Sequence, residues 1–230
     1  MKYSNIRKAR FLSRPNRFIA QVELDGCVET VHVKNTGRCR ELLVPGCTVY
    51  LEGPFLEGRK TKYDLIAVEK ETDGGAILIN MDSQVVNGCV EEWLPVSGLF
   101  PLGAGIKREV KWGASRFDFC ISGETFLEVK GVTLENGGVA MFPDAPTERG
   151  AKHVRELEKL AREGRDAYIV FVVQMKGVQL MTPNEKTDPE FAAALRSAAE
   201  AGVKVLCYDC IVTPDSIKID KEVKLSLGLG

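Results

Sequence analysis

The stretch "SRFDFCISGETFLEVKGV", residues 115–132, puts charge inside what otherwise reads as a buried hairpin. Two strand-like runs, "RFDFCI" and "TFLEVK", flank the turn "SGE". Residues two apart on a strand share a face. Glu128 and Lys130 therefore point one way, and Leu127 and Val129 the other. Asp118 lies between Phe117 and Phe119, both expected to face away from it. The short turn makes the strands antiparallel neighbours, so Asp118, Glu128 and Lys130 are expected to converge. Two carboxylates held together repel unless a cation lies between them. An oxygen-only pair suits Mg²⁺ or Mn²⁺, with Asp118 and Glu128 as ligands and the Val129 carbonyl as a further one. Lys130 would then orient or help deprotonate water, or stabilise a phosphoryl transition state. So read, the hairpin carries the chemistry of metal-dependent phosphodiester cleavage. The competing reading is a solvated strand face, where Glu and Lys two apart are common.

Working outward, "TERGAKHVRELEKLARE" is an amphipathic helix with Val154, Leu157, Leu160 and Ala161 on one face. "DAYIVFVVQM" is a near-continuous apolar strand of the central, doubly covered kind, and "GVQLMTP" is expected beside it. "DPEFAAALRSAAEAG" is a second helix with a Gly stop, and "VKVLCYDCIV" a final buried strand. Upstream, "SQVVNGCVEEWLPV" has helical spacing ended by Pro95, and "IKREVKWG" adds a strand to the hairpin. The loop reading falls on "ENGGVAMFPDAPTERG". Residues 83–230 thus form a mixed sheet covered by helices on both faces, an α/β (α+β) unit.

Residues 1–82 look all-β. "RFIAQVEL", "VETVHVKN", "CTVYLEG", "YDLIAVEKE" and "AILINM" are short runs split by Gly, Asn, Asp and Pro turns. Five strands at this spacing predict an OB-like barrel, with an SH3-like barrel as the alternative. Lys2, Arg7, Lys8, Arg10, Arg14 and Arg17 crowd the N-terminus with Tyr3, Phe11 and Phe18 among them, and Lys34, Arg38 and Arg40 follow in "VKNTGRCREL". Cations on phosphates and rings on bases are what a nucleic-acid surface requires. An edge strand kept soluble by Lys and Arg would look the same.

The formal net charge of -1 gives no global basic field, so nucleic-acid binding needs such a local patch. No apolar run is long enough to span a membrane, and the N-terminus lacks the apolar region of a secretory signal. Seven scattered cysteines read as reduced thiols of a cytoplasmic protein. Cys207 and Cys210 form a lone CxxC, which is expected to end a strand rather than hold zinc.

The strings "VHVKNTGRCRELLVPG", "IKREVKWGASRFDF", "FLEVKGVTL" and "FPDAPTERGAKHVREL" together resemble the sugar fermentation stimulation protein A family. The resemblance implies an N-terminal OB-like barrel and a C-terminal domain like the PD-(D/E)xK nucleases. It also implies DNA binding with little sequence specificity and a link to sugar (maltose) use. By position, Asp118, Glu128 and Lys130 match the nuclease signature, with "RFDF" in place of a literal Pro-Asp pair. Glu109 is a candidate extra acid or an exposed strand Glu. Asp144, Arg149 and His153 lie where the chain could reach the same cleft, Arg149 on a phosphate and His153 near water. Gln174 is a candidate lining residue, and Asn35, Thr36, Gly37 and Arg38 form a phosphate-facing or domain-facing turn. Three functions stay open: a metal-dependent nuclease, a non-catalytic DNA-binding regulator on a nuclease fold, and a sugar-phosphate binder. Oligomeric state is open as well, a homodimer included.

Overall fold

The computed structural model describes residues 1–35, 37–55, 58–113 and 115–228. Thr36, singled out above, lies outside the described residues. The chain opens with β1 (Ile6–Asn16), β2 (Ile19–Leu24) and β3 (Cys27–Val33), an antiparallel meander. The far edge of β1 pairs with β4 (Thr48–Glu52), which pairs with β5 (Asp64–Thr72). β5 then runs parallel to β3 at His32↔Asp64 and Val33↔Leu65 and closes the ring. Closure runs in the order 1-2-3-5-4, with β3 and β5 joined at the end of β3 alone. β6 (Gly75–Asn80) lies along the outer part of β5.

Alternation explains the barrel: Ala9, Phe11, Ala20, Val22, Val31, Val33, Val49 and Leu51 all turn inward and are buried. β1 was legible only as a basic cluster, because Arg7, Lys8, Arg10 and Arg14 crowd the two apolar positions, Ala9 and Phe11, that betray its pleat. The five strands expected from sequence therefore differ from the ring: β1 enters it, and "AILINM" becomes the sixth strand outside it.

The second half begins with α1 (Val85–Trp93) and a 3-10 turn at Leu94–Val96, with Pro95 ending the α-helix. A meander of β7 (Ile106–Trp112), β8 (Ser115–Ile121) and β9 (Thr125–Val132) follows. β10 (Leu134–Asn136) and β11 (Val139–Phe142) lead to α2 (Glu148–Arg162). Then come β12 (Ala167–Val173), β13 (Leu180–Pro183), α3 (Pro189–Glu200), β14 (Lys204–Thr213), β15 (Ser216–Glu222) and β16 (Lys224–Leu225). The main sheet has the order β15-β14-β12-β9-β8-β7, parallel at β9, β12 and β14 and antiparallel outside them. β12 is buried along its whole length. Val85, Val86, Cys89 and Val90 of α1 cover one face of the sheet. Val154, Leu157 and Leu160 of α2 cover the other.

Three expectations for this half are corrected. "GVQLMTP" does not pair with β12; it is β13, held between β11 and β16 in a separate four-stranded sheet. The loop after β9 contains the β10–β11 hairpin. The "final" strand β14 is followed by β15, whose alternating Ile217 and Ile219 face inward between charged neighbours.

Candidate active site

The β8–β9 ladder stops at Phe119↔Leu127. β8 continues against β7, but the recorded pairing skips Glu109 and Asp118 before resuming at Val110↔Phe117. Glu109 sits there at φ 51°, the left-handed region that a Glu seldom adopts. The irregularity also turns Phe117 over. Phe119 packs on the α1 face, whereas Phe117 lies 5.6 Å from the Phe126 ring and 6.3 Å from His153 on the α2 face. The two phenylalanines therefore do not both face away from Asp118, as simple alternation predicted.

Where the ladder ends, the Asp118 carboxylate takes the place of a strand carbonyl. Its Oδ2 accepts from the Val129 N–H at 2.8 Å, and its Oδ1 accepts from Asn87 Nδ2 at 2.8 Å. Glu128 is 3% exposed, and its Oε1 accepts from Lys130 Nζ at 2.6 Å. His153 Nδ1 lies 2.5 Å from the same oxygen. α2 delivers His153 because Thr147 caps the helix, its Oγ1 accepting from the Gly150 N–H at 3.0 Å. Glu128 Oε2 is buried with no hydrogen-bond partner among the described residues.

Electrostatics separate the two acids. Burial, then repulsion from Glu128, raises the Asp118 pKa above the ordinary carboxylate value. Burial also opposes the Glu128 charge, but His153 and Lys130 outweigh it and hold that pKa low. Among the described residues Asp118 has only neutral hydrogen-bond donors, while Glu128 has both cation-capable neighbours on one oxygen.

The structure brings together Asp118, Glu128, Lys130 and His153, and it adds Asn87, which the apolar reading of its helix passed over. Glu109 is not gathered in: its carboxylate is half-exposed and lies 3.9 Å from Arg116. Gln174 is buried and bonds across to the end of the barrel. Its Nε2 donates to Asn80 O, Asn80 Oδ1 and Asp82 O, which stitches β12 to the end of the barrel. Gly131 makes room for this, since a Cβ there would lie 2.6 Å from Gln174 Oε1. Among the described residues, no group of three or more His, Cys, Asp or Glu is placed to hold a metal ion.

The basic residues divide in the same way. Arg7 pairs with Asp25 and Arg10 with Glu23, and Lys8 lies 3.8 Å from Glu69. Lys34 faces Asp82 at 3.1 Å, Asp64 at 3.3 Å and Glu52 at 4.0 Å. Arg14 donates to the carbonyls of Arg17, Asn35, Gly37 and Arg38 and so braces the turn after β3. Asn35 Oδ1 accepts from the Gly37 N–H at 2.8 Å. That turn meets the loop before α2, where the Arg38 N–H donates to Asp144 Oδ2 at 3.0 Å. A Cβ at Gly37 would lie 2.2 Å from that carboxylate oxygen, so a side chain there would push Asp144 off the turn. Arg17, Arg38, Arg40 and Arg149 are exposed.

The ring order and the sheet that carries the site define a two-part protein: an OB barrel followed by a mixed α/β domain with an Asp, Glu-x-Lys hairpin. Residues 12–79 match the family model described as the SfsA N-terminal OB domain, and residues 84–216 match the sugar fermentation stimulation protein RE domain. The chain belongs to the sugar fermentation stimulation protein family. It is 55% identical to a sugar fermentation stimulation protein homolog of Desulfitobacterium hafniense, over 100% of both chains. A homolog from Ruminiclostridium cellulolyticum is 50% identical over 99% of this chain and 100% of its own. The solved structure of Pyrococcus furiosus SfsA in complex with Ca²⁺ superposes with a TM-score of 0.84 at 34% identity, covering 98% of each chain. No helix among the described residues is long and apolar enough to cross a membrane.

Proposed function

We propose that this chain binds DNA and cleaves its phosphodiester backbone with the help of a divalent cation. The observation that carries the reading is the buried Glu128 Oε2, without a hydrogen-bond partner among the described residues, near a second carboxylate, Asp118, whose hydrogen-bond donors Asn87 and Val129 N–H are neutral. Such a pair fits a hard cation of the Mg²⁺ or Mn²⁺ kind, which needs only one or two protein carboxylates and completes its shell with water and substrate phosphate. The Ca²⁺ bound by the Pyrococcus furiosus relative supports the same donor chemistry. Asp118 and Glu128 would hold the ion, which when bound would polarise the phosphate and acidify water.

The chain's own residues supply the rest. Lys130, anchored on Glu128 and only 15% exposed, can turn its remaining N–H donors toward a phosphoryl oxygen as charge develops there. His153 holds Glu128 from the helix side and fixes the carboxylate's orientation. Asn87 and the Val129 N–H fix Asp118. Glu109 remains outside this set, and Arg149, exposed in the first turn of α2, is offered to a flanking phosphate. A second reading, a DNA-binding regulator without catalysis, draws on one observation: Lys130 and His153 already lie on Glu128 Oε1, so this half of the cluster can stand without a metal.

Cleavage of single- and double-stranded DNA by the purified chain, in Mn²⁺, Mg²⁺ or EDTA, tests the proposal. Metal-dependent cleavage that disappears in Lys130→Ala supports the nuclease. Binding without cleavage in either protein supports the regulator.

A further inference from the structure

A cleft of about 460 Å³ opens between the β1–β2 turn and the segment after β3, with Arg17, Arg38 and Arg40 among its walls and Ala145 on its far side. Arg14 also borders it, but its guanidinium is bound to four backbone carbonyls and acts as a brace. The other three arginines are exposed and have no ion pair among the described residues. Phe18, next to Arg17 in the β1–β2 turn but outside the cleft's lining, is 53% exposed, with the Arg17 guanidinium 5.8 Å from its ring centroid.

The ring is displayed on a fixed turn rather than a loose one. Asn16 Oδ1 accepts from the N–H groups of Phe18 and Ile19 at 2.8 and 3.2 Å, and the Phe18 carbonyl accepts from the Val33 N–H at 2.8 Å. An exposed aromatic face costs hydration unless something flat covers it. The cleft's three exposed guanidiniums, without an ion pair among the described residues, call for closely spaced negative charge. A base with its ring exposed, on a chain of phosphates, satisfies both; a duplex offers the phosphates but keeps its base faces stacked. One lining residue of the cleft belongs to the segment that leads into α2. Ala145 stands three residues before the start of α2, and Arg149 and His153 lie one helical turn apart on that helix.

We infer that this cleft holds an unpaired stretch of DNA, with Phe18 stacked on a base and Arg17, Arg38 and Arg40 on the phosphates, and that the strand continues along the first turn of α2 to Glu128. The inference rests on the nuclease reading for the end of the track at Glu128, but not for the grip of the cleft on the strand.

The test is fluorescence anisotropy of the full chain in EDTA, using labelled oligothymidylate and a mixed-sequence duplex of equal length. Phe18→Ala should weaken single-strand binding about tenfold and leave duplex binding unchanged. Phe18→Trp should retain single-strand binding and show indole quenching on addition of oligothymidylate. Arg40→Ala should lower the salt slope for the single strand by about 0.7. If Phe18→Ala lowers both affinities equally, or neither, the inference is overturned. Metal-dependent cleavage is scored separately. Cleavage by a wild type whose binding ignores Phe18 removes the cleft and keeps the nuclease, while Phe18-dependent binding with no cleavage does the reverse.

Discussion

The joint around Lys34 and the hairpin around Glu128 are both buried clusters of charge, but their charges are balanced differently. At the joint, Asp64 is 1% exposed and is met by Lys34, His32 and Arg59; Asp82 is met by Lys34 and by the Gln84 N–H. Burial works against the Lys34 charge, but Asp82 and Asp64 overcome it and its pKa is raised. At the hairpin, the two cation-capable side chains bond the same oxygen of Glu128, and Asp118 has only neutral partners. Unpaired charge in a low-dielectric interior is costly. At the joint Asp64, Asp82 and Glu52 share Lys34, with Arg59 also on Asp64, and these ion pairs fasten the barrel to α1. At the hairpin Asp118 makes no ion pair among the described residues, which leaves room for a ligand.

The largest effect that sharpens this contrast is expected at the joint. Lys34→Met leaves Asp64 and Asp82 short of a cation and should cost about 3 kcal/mol of unfolding free energy in urea melts. A loss under about 1 kcal/mol would class the joint with solvent-screened ion pairs. At the hairpin, Lys130→Ala should instead lower Mn²⁺-dependent cleavage about a hundredfold, on the order of 3 kcal/mol of transition-state stabilisation, and retain Mn²⁺ binding. Loss of folding in this variant would make Lys130 as structural as Lys34.

The smallest effect has an unusual sign. Because the folded pKa of Asp118 is raised, its contribution to stability is full below the unfolded value, near 3.8, and is lost as pH rises through the folded one. Glu128 behaves oppositely: its pKa is lowered, so its contribution is present above the unfolded value and is lost as pH falls through the folded one. Without metal, Asp118→Asn should therefore stabilise the chain at neutral pH, by on the order of 1 kcal/mol, and the two melting curves should converge in acid. A variant less stable at neutral pH would mean that the Asp118 charge is already compensated.

The hairpin was legible because its chemistry is local: period-two alternation placed Glu128 and Lys130 on one face, and a short turn placed Asp118 across from them. Asn87 was hidden because a polar residue on an otherwise apolar helix has many uses, and only the fold sets it against Asp118. The roles of Lys34 and Gln174 depend on pairings between residues 48 and 94 positions apart, which no sequence period encodes. β1 and β15 were obscured by charge on their outward faces, and β13 took a partner outside the main sheet.

On the function proposed above, Asp118 and Glu128 share a divalent cation. Calorimetric titration with Mn²⁺ in the presence of a DNA oligonucleotide tests it most directly. The wild type should bind one ion and Asp118→Asn should lose that binding, while Lys34→Met should keep it wherever it remains folded. Equal Mn²⁺ binding by wild type and Asp118→Asn, or none by the wild type with DNA present, would contradict the account.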